Sequence, residues 1–334
     1  MYDPLTDPLR LPVQQLTAHC LAERPLYFPP REGSTPGTTF NGAFGSEIWA
    51  VGCQRRQQGL PACNQTQDHC QQPAACPVHW LYKPYSTAHR RAFSRPVLLH
   101  APGLDSANPI TSFTLKITLW GRHAIRHRTV VEQTIRAMGQ AGLGSEGSRT
   151  RFTVAEMTAE LPMALGDKAA ALIANNVWRR ALLAFETPFL YRATVEGHDG
   201  QKEKLFLAGG ALPLSAMLGN RAYELAAWDM EERGLDLDSQ ARHDLARQTR
   251  QHVEALAEAL IVTDHSLVPV NHGSRQAKSN GRFFPIQGFV GQAQIEGDIN
   301  PVLPWLLALA VGGGGQKRAM GFGVVRLWLQ VGDV

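Results

Sequence analysis

A glycine-rich segment, GGGGQKRAMGFGVVRL (312–327), has the clearest chemical signature in the sequence. Its six glycines, with a lysine and an arginine among them, lie between an apolar helical stretch and a strand-like stretch. Glycine allows positive φ angles and brings backbone N–H groups close to a ligand. The segment therefore predicts a loop that binds a polyanion, although a flexible, solvated loop tip has the same composition. The residues predicted to make the contact are Gly313, Gly314, Gly315, Lys317 and Arg318.

The common nucleotide-binding motifs do not fit this segment. A P-loop needs G-x-x-x-x-G-K-[ST] between a strand and a following helix. Here no Gly-Lys-Ser/Thr occurs, and the order is helix, loop, strand. The dinucleotide fingerprint G-x-G-x-x-G is also absent from the segment.

Two further basic clusters could contact a polyanion. The stretch GRHAIRHRTVV (121–131) contains three arginines, and the predicted helix at 238–260 carries a basic face at i, i+4, i+7 spacing. Both patterns favour phosphate contacts, and a solvated turn or an ordinary amphipathic helix is the alternative. The predicted contact residues are Arg122, Arg126 and Arg128 in the first cluster and His243, Arg247 and Arg250 in the second.

Four of the five cysteines lie close together in the sequence. Their spacings lack the C-x₂-C knuckle typical of zinc sites, so structural zinc and free thiols are both open. The odd total argues against a disulfide framework. No metal is expected to take part in the chemistry. The four cysteines are Cys53, Cys63, Cys70 and Cys76.

The bulk composition indicates a globular protein, with 44% hydrophobic and 19% charged residues. The net charge of +4 is too small to indicate nucleic-acid binding by itself. The N-terminal stretch has no apolar core of a signal peptide, and the most apolar stretch, VLPWLLALAVGGGG, is too short to span a bilayer. We therefore expect a cytoplasmic protein.

The order of elements predicts an α+β fold with two ferredoxin-like (RRM-like) domains in tandem, each β-α-β-β-α-β. SFTLKITLW (112–120) alternates as a half-buried strand should, TVVEQTIRAMGQAG predicts a helix ended by glycine, and 181–197 predicts one strand. The predicted boundaries are 1–160 for the N-terminal domain with a cysteine-bearing insertion at 53–93, and 181–334 for the C-terminal domain with a helical insertion at about 229–262 and a glycine-rich loop at 312–323.

The glycine-rich loop, its GFG and the terminal strand together resemble the RAMP superfamily of CRISPR proteins, and more closely its repeat-cleaving ribonuclease. Four further segments agree in the right order. They are FNGAFGSEIW (40–49) for the first helix, AGLGSEGSRTRFTV (141–154) for a glycine turn and strand, FETPFLYR (185–192) for a threonine-proline strand, and HGSRQ (272–276) before the glycine strand and last helix. The resemblance covers about 11–330 and adds Arg275 to the predicted RNA contacts.

The resemblance implies an endoribonuclease that cuts precursor CRISPR RNA once in each repeat. The cut needs no metal, since a ribose 2′-hydroxyl attacks the adjacent phosphate and leaves a 2′,3′-cyclic phosphate. The implied partners are CRISPR repeat RNA, retained as the mature guide, and other effector subunits, with no membrane and no small-molecule cofactor. The weak match at 229–262 points to a divergent branch, for which a type IV system is one candidate.

The family places its variable catalytic residues at the first strand–helix junction, facing the glycine-rich loop. At this junction the candidates are His19 as a base, Tyr27 as a positioning or donating group, and Arg24 and Arg31 as a phosphate clamp. Arg242, beside His243 on the predicted helix at 238–260, is a further catalytic candidate, because that helix could reach over the RNA. The family often carries a histidine just before the loop, where this sequence has Ala310 and Val311. An arginine-dominated site, acting by alignment and charge stabilisation, is therefore the alternative to histidine catalysis.

Two other functions compete with this interpretation. A non-catalytic RAMP subunit that binds guide RNA shares the fold and the loop, and the missing loop histidine favours it. A small-molecule enzyme on a ferredoxin-like scaffold needs paired carboxylates in a pocket or a true nucleotide motif, and the sequence offers neither.

Overall fold

The structure is a computed structural model. It describes residues 2–28, 35–59, 75–82, 85–86, 91–92, 95–104, 108–144, 149–196, 202–206, 212–276, 283–316, 318 and 321–331. Among these residues, no helix combines the length and the apolar character that crossing a membrane requires.

The first part of the chain contains, in order, β1 (Pro12–Leu26), α1 (Pro36–Gly52), α2 (Gln54–Gln57), α3 (Pro77–Leu81), β2 (Tyr85–Ser86), β3 (Arg91–Ala92), β4 (Val97–His100), β5 (Ile110–Trp120), α4 (Arg122–Arg126), α5 (Arg128–Ala141), β6 (Phe152–Ala159), β7 (Met163–Ala164) and α6 (Leu165–Ile173). The second part contains β8 (Trp178–Phe189), β9 (Arg192–Glu196), β10 (Lys202–Phe206), α7 (Leu214–Glu232), α8 (Ser239–Glu258), β11 (Ile261–His265), β12 (Val268–Gln276), β13 (Phe283–Glu296), α9 (Leu303–Gly312) and β14 (Val325–Val331). Short 3₁₀ turns precede β1 and α9, at Asp7–Arg10 and Asn300–Val302.

Two antiparallel sheets have the same strand order. The N-terminal sheet runs β4-β5-β1-β6, and the C-terminal sheet runs β11-β13-β8-β14. With the helices that connect these strands, each sheet forms a β-α-β-β-α-β unit. The predicted α+β fold of two ferredoxin-like units is confirmed, and the domain boundaries stay a prediction.

Alternation along β1 separates the core from an open face of the N-terminal sheet. Leu16, Ala18 and Cys20 are buried against α1 and α5, whereas His19 between them is exposed. Helix α5 ends at Gly142, whose φ of 81° lets the chain leave the helix. His19 therefore lies on the open face, away from the two helices.

The C-terminal unit covers one part of this open face. Trp120 on β5 meets Trp228 on α7 with ring centroids 5.3 Å apart, and Trp80 on α3 meets the same ring at 6.0 Å. Trp228 is fully buried. The three indoles therefore join the two units through a packed aromatic cluster, which we call the tryptophan junction.

The predicted elements differ from the structure at three points. Strand β4 was not predicted, because its four residues VLLH do not alternate. The single strand expected at 181–197 is two strands, since β8 ends at Phe189 and β9 pairs with β10 instead. The stretch between the two units, which shows no clear pattern, forms β7 and α6.

Candidate functional site

The glycine-rich loop (312–323) folds back on itself through its backbone. The N–H of Gly314 donates to the carbonyl of Gly323 at 2.8 Å, and the N–H of Gly323 donates to that of Pro188 at 3.0 Å. A Cβ on Gly323 would lie 1.8 Å from the Gly314 oxygen, and its φ is 71°. Glycine is therefore required at Gly323 by both backbone conformation and close approach.

Several N–H groups of the loop are already used inside the protein. Gln316 donates to Leu190 at 2.7 Å, and Gly321 donates to Arg318 at 2.8 Å, in addition to the bonds of Gly314 and Gly323. These four N–H groups do not face a ligand. Contacts of Gly313, Gly314 and Gly315 with RNA stay a prediction, and Lys317 lies outside the described residues.

The loop contacts the junction between β1 and α1. A Cβ on Gly321 would lie 2.6 Å from the Cα of Gly37, in the first turn of α1. That helix begins at Thr35, which forms a capping box with Thr38. The glycine-rich loop therefore lies against the strand–helix junction that the resemblance associates with catalysis.

The candidate catalytic residues of β1 divide into two places. Arg24 and Tyr27 lie near the junction, both exposed, and Tyr27 is 52% exposed. His19 lies on the open face, where its Nδ1 is 3.3 Å from the Oγ1 of Thr114. The pairing of β1 with β5 shifts register between Leu21 and Leu26, where five residues of β1 pass two residues of β5. His19 pairs with Thr114 and Leu26 with Ile110, so this part of β1 covers about 13 Å of the sheet. A joint action of His19 and Tyr27 stays a prediction, and Arg31 lies outside the described residues.

The neighbours of Arg24 and Tyr27 explain their exposure. Arg24 Nη2 donates to the carbonyl of Arg149 at 3.3 Å, which leaves the rest of the guanidinium accessible. The next residue after Tyr27, Phe28, packs on Phe40 of α1 with ring centroids 5.7 Å apart. Phe28 therefore anchors the strand end to the helix while Tyr27 faces outward.

A charged cluster lies where the two sheets meet. His100 Nε2 on β4 is 3.7 Å from a carboxylate oxygen of Glu186 on β8, and the guanidinium of Arg326 on β14 binds the other oxygen. Burial, together with the cations Arg326 and Lys116, lowers the pKa of His100 to about 4. Because Glu186 is already paired with Arg326, His100 is neutral at pH 7.

We expect His100 to make stability depend on pH. Its pKa is lowered on folding, so below about pH 6.5 the unfolded chain binds a proton that the folded chain does not. Stability therefore falls as pH decreases from about 6.5 to about 4, by about 1 kcal/mol per pH unit from this residue. Denaturant unfolding between pH 7.5 and 5 should show a shallower decline in His100→Asn than in the original protein. Equal slopes in the two proteins would contradict the assignment.

Most of the basic cluster at 121–131 binds other parts of the protein. Arg122 Nη1 donates to buried Asp229 at 3.0 Å, and Arg128 pairs with Glu132 at 3.0 Å. Arg126 is exposed and can contact a phosphate. Arg122 and Arg128 each keep a side chain that is 44% exposed. The phosphate contacts of the three arginines therefore stay a prediction.

The predicted residues of helix α8 also differ from one another in exposure and pairing. Arg242 is 8% exposed, and its Nη1 donates to Glu231 at 2.9 Å. Arg242 therefore connects α7 and α8, and its catalytic role stays a prediction. Arg247 is exposed, whereas Arg250 pairs with Glu254 at 2.8 Å.

The remaining predicted contacts lie in helix α8, in strand β12 and in the glycine-rich loop. His243 Nδ1 is 2.9 Å from the hydroxyl of Tyr223. Arg275 lies in β12, opposite Phe284 of β13, and its RNA contact stays a prediction. Arg318 is 7% exposed and donates from Nη1 to the carbonyl of Gly312 at 3.1 Å. That burial differs from the surface position expected for an RNA contact, and sequence patterns give no sign of it.

The cysteines are only partly within the described residues. Cys53 is buried at the end of α1, and Cys76 precedes α3. Cys63 and Cys70 lie outside the described part. Within that part, no group of three His, Cys, Asp or Glu residues could hold a metal ion. Structural zinc therefore stays a prediction.

One protein family matches a large part of this chain. The family model AF_1859_N, described as an N-terminal domain, matches residues 11–180, slightly more than half of the chain. The chain belongs to the AF_1859_N family. The match includes the whole N-terminal sheet of this AF_1859_N member, with His19, Arg24, Tyr27 and α1. No curated protein sequence matches the chain.

Solved structures extend the likeness of this AF_1859_N member to both units. Cas6 (TTHB231) of Thermus thermophilus in a product complex has a TM-score of 0.52 and 16% identity, covering 95% of this chain and 99% of that one. A partial Cas6-RT-Cas1–Cas2 complex has a TM-score of 0.52 and 10% identity, covering 97% of this chain and 47% of that one. The resemblance to CRISPR repeat-cleaving proteins is confirmed, and at these identities it establishes the fold.

Proposed function

We propose that the protein is a metal-independent endoribonuclease that cuts precursor CRISPR RNA within each repeat and retains the mature guide. The observation that carries the proposal is the contact between Gly321 of the glycine-rich loop and Gly37 of α1. It joins a loop suited to RNA with a junction where Arg24 and Tyr27 are exposed. The Cas6 fold of both units supports the same assignment.

The residues near the junction suit the attack of a 2′-hydroxyl on phosphorus. The attack forms a bond from the 2′-oxygen to phosphorus, passes the proton of the 2′-hydroxyl to water, and breaks the bond from phosphorus to the 5′-oxygen. Arg24 stabilises the negative charge on the phosphorane. Tyr27 donates a proton to the departing 5′-oxygen or orients it. The site is therefore dominated by arginine and tyrosine, with Arg31 as a further proposed clamp.

His19 has a separate proposed role on the open face. Its side chain is exposed beside Thr114 of β5, and the irregular stretch of β1 between Leu21 and Leu26 separates it from Tyr27. It can contact RNA that passes over the N-terminal sheet, as can the exposed Arg126 and Arg247. Arg275 and Lys317 are proposed to add phosphate contacts in the C-terminal unit.

The proposed partners are repeat RNA and other CRISPR proteins. One similar structure is a Cas6 product complex, and another contains Cas6 together with RT, Cas1 and Cas2. A non-catalytic guide-binding subunit is the second candidate function. It is favoured by Ala310 and Val311, which end α9 where a catalytic histidine could stand.

Cleavage of a labelled repeat RNA from the protein's own genomic neighbourhood, in EDTA, tests the proposal. We expect one cut that leaves a 2′,3′-cyclic phosphate. Arg24→Ala and Tyr27→Phe should each slow the cut by about 100-fold, since a phosphate-stabilising or proton-donating group is lost. Arg179→Ala is the matched control, because Arg179 forms only a surface pair with Asp298.

Each outcome of the assay decides between the candidate functions. Tight binding without a cut supports the guide-binding subunit and refutes the nuclease. A cut that disappears in EDTA refutes metal independence. The absence of any RNA binding refutes both functions.

A further inference from the structure

The base of the glycine-rich loop contains two buried arginines and one glutamate. Arg221 is 3% exposed and Arg318 is 7% exposed, and both bind the carboxylate of Glu224. Arg221 Nη1 lies 3.3 Å from Glu224 Oε2, and the Nη2 of Arg318 donates to the same oxygen. Two buried cations therefore share one carboxylate, whose side chain is 35% exposed.

The same arginines hold the end of α9. Arg221 Nε donates to the carbonyl of Ala308 at 3.3 Å, and Arg318 Nη1 donates to the carbonyl of Gly312 at 3.1 Å. The last carbonyls of a helix lack intrahelical partners, and positive charge is favourable there. The two guanidinium groups thus fix the point where α9 becomes the loop.

Close packing leaves this arrangement little freedom. A Cβ on Gly312 would lie 1.8 Å from Nη2 of Arg221, so only glycine admits the guanidinium. On its other side, Arg221 lies 4.8 Å from the ring centroid of Trp120. Burial and the neighbouring Arg318, opposed by Glu224, lower the pKa of Arg221 to about 9. The cation therefore remains charged at pH 7 although it is desolvated.

We propose that Arg221, Glu224 and Arg318 form an internal clamp that positions the glycine-rich loop for catalysis without contacting the RNA. The inference rests on the proposed function, since the loop passes from Arg318 to Gly321, which contacts Gly37 beside the proposed catalytic junction. Arg318 is therefore a positioning residue, not a phosphate ligand.

The charges of the clamp predict which variants fold. Arg318→Met leaves Arg221 and Glu224 as a balanced pair, so the fold is retained. Glu224→Gln leaves two buried cations without their shared carboxylate, so its melting temperature should fall by about 5 °C more than that of Arg318→Met. An equal or smaller loss in Glu224→Gln would overturn the clamp.

Hydrogen exchange of the full chain tests positioning directly. The N–H groups of Gly314, Gln316 and Gly323 are bonded to backbone carbonyls, and Arg318→Met should speed their exchange by at least about 10-fold. Arg318→Lys should restore part of the protection, because one ammonium keeps the charge but not the two-sided contact. Arg179→Met is the matched surface control, with no change expected at the loop. Unchanged exchange in Arg318→Met would refute the inference.

Cleavage adds a readout that separates positioning from RNA binding. In single-turnover assays with the repeat RNA, Arg318→Met should slow the cut by at least about 10-fold while Kd changes by less than about 3-fold. A weakened Kd with an unchanged rate would make Arg318 a direct RNA ligand instead. If the original protein cuts no RNA, the proposed function fails, and the exchange and melting results still decide whether the clamp exists.

Discussion

Gly323→Ala is expected to destabilise the protein by about 3 kcal/mol and to abolish the native loop. The residue has a φ of 71°, a region that costs a side-chain-bearing residue roughly 1–2 kcal/mol. A Cβ would also lie 1.8 Å from the carbonyl oxygen of Gly314, so the backbone pair that closes the loop would have to separate. Overpacking of this kind costs about 1–3 kcal/mol more.

Variants at two other glycines separate the cost of the positive φ from the cost of the close contact. Gly103 has a φ of 74° with nothing within 4 Å of a built Cβ, so Gly103→Ala should cost about 1 kcal/mol through conformation alone. Gly42 is exposed in α1 and equally uncrowded, so Gly42→Ala should stabilise by about 0.5–1 kcal/mol. Chemical denaturation of the three variants measures the order of their free energies of unfolding. A loss in Gly323→Ala no larger than in Gly103→Ala would show that the loop does not close as described.

Local patterns predicted the parts of the fold that depend on neighbours in sequence. The alternation of 112–120 identified β5, and the helix ended by Gly142 identified α5. Strand β4 was missed because three apolar residues in a row, before His100, fit a buried strand or a helix equally well. Its assignment depends on pairing with β5, which no local pattern reveals.

The sequence predicted the approximate place of the candidate site, but it did not predict which charged side chains are buried and paired there. The resemblance implied that the glycine-rich loop faces the β1–α1 junction, and Gly321 of the loop lies against Gly37 in the first turn of α1. From the sequence alone, Arg242 and Arg318 look like exposed cations. The partner of Arg242 lies on another helix, and the partner of Arg318 lies far along the chain. Glu224, 94 residues from Arg318, has no sequence signal that connects it to the loop. Burial of a charge depends on such long-range pairs, so composition alone cannot reveal it.

The tryptophan junction connects the two units, and we expect its central indole to contribute strongly to stability. Trp228→Ala should destabilise the protein by about 3–5 kcal/mol, because it removes a fully buried indole and leaves a cavity between Trp80 and Trp120. Trp228→Phe should recover about half of that loss, since a smaller ring still fills part of the space.

An exposed tryptophan provides the control for this loss. Trp328 on β14 is 43% exposed, so Trp328→Ala should cost about 1 kcal/mol or less. Denaturant unfolding, monitored by hydrogen exchange, shows whether Trp228→Ala loosens the connection between the units or destabilises both sheets together. Loss of protection first at the backbone N–H groups of Arg122 and His123, which donate to Glu232 of α7, would mean that the two units separate before either unfolds. Uniform loss across both sheets would mean that the junction belongs to one cooperative core. A loss in Trp228→Ala no greater than in Trp328→Ala would contradict the packing of the junction itself.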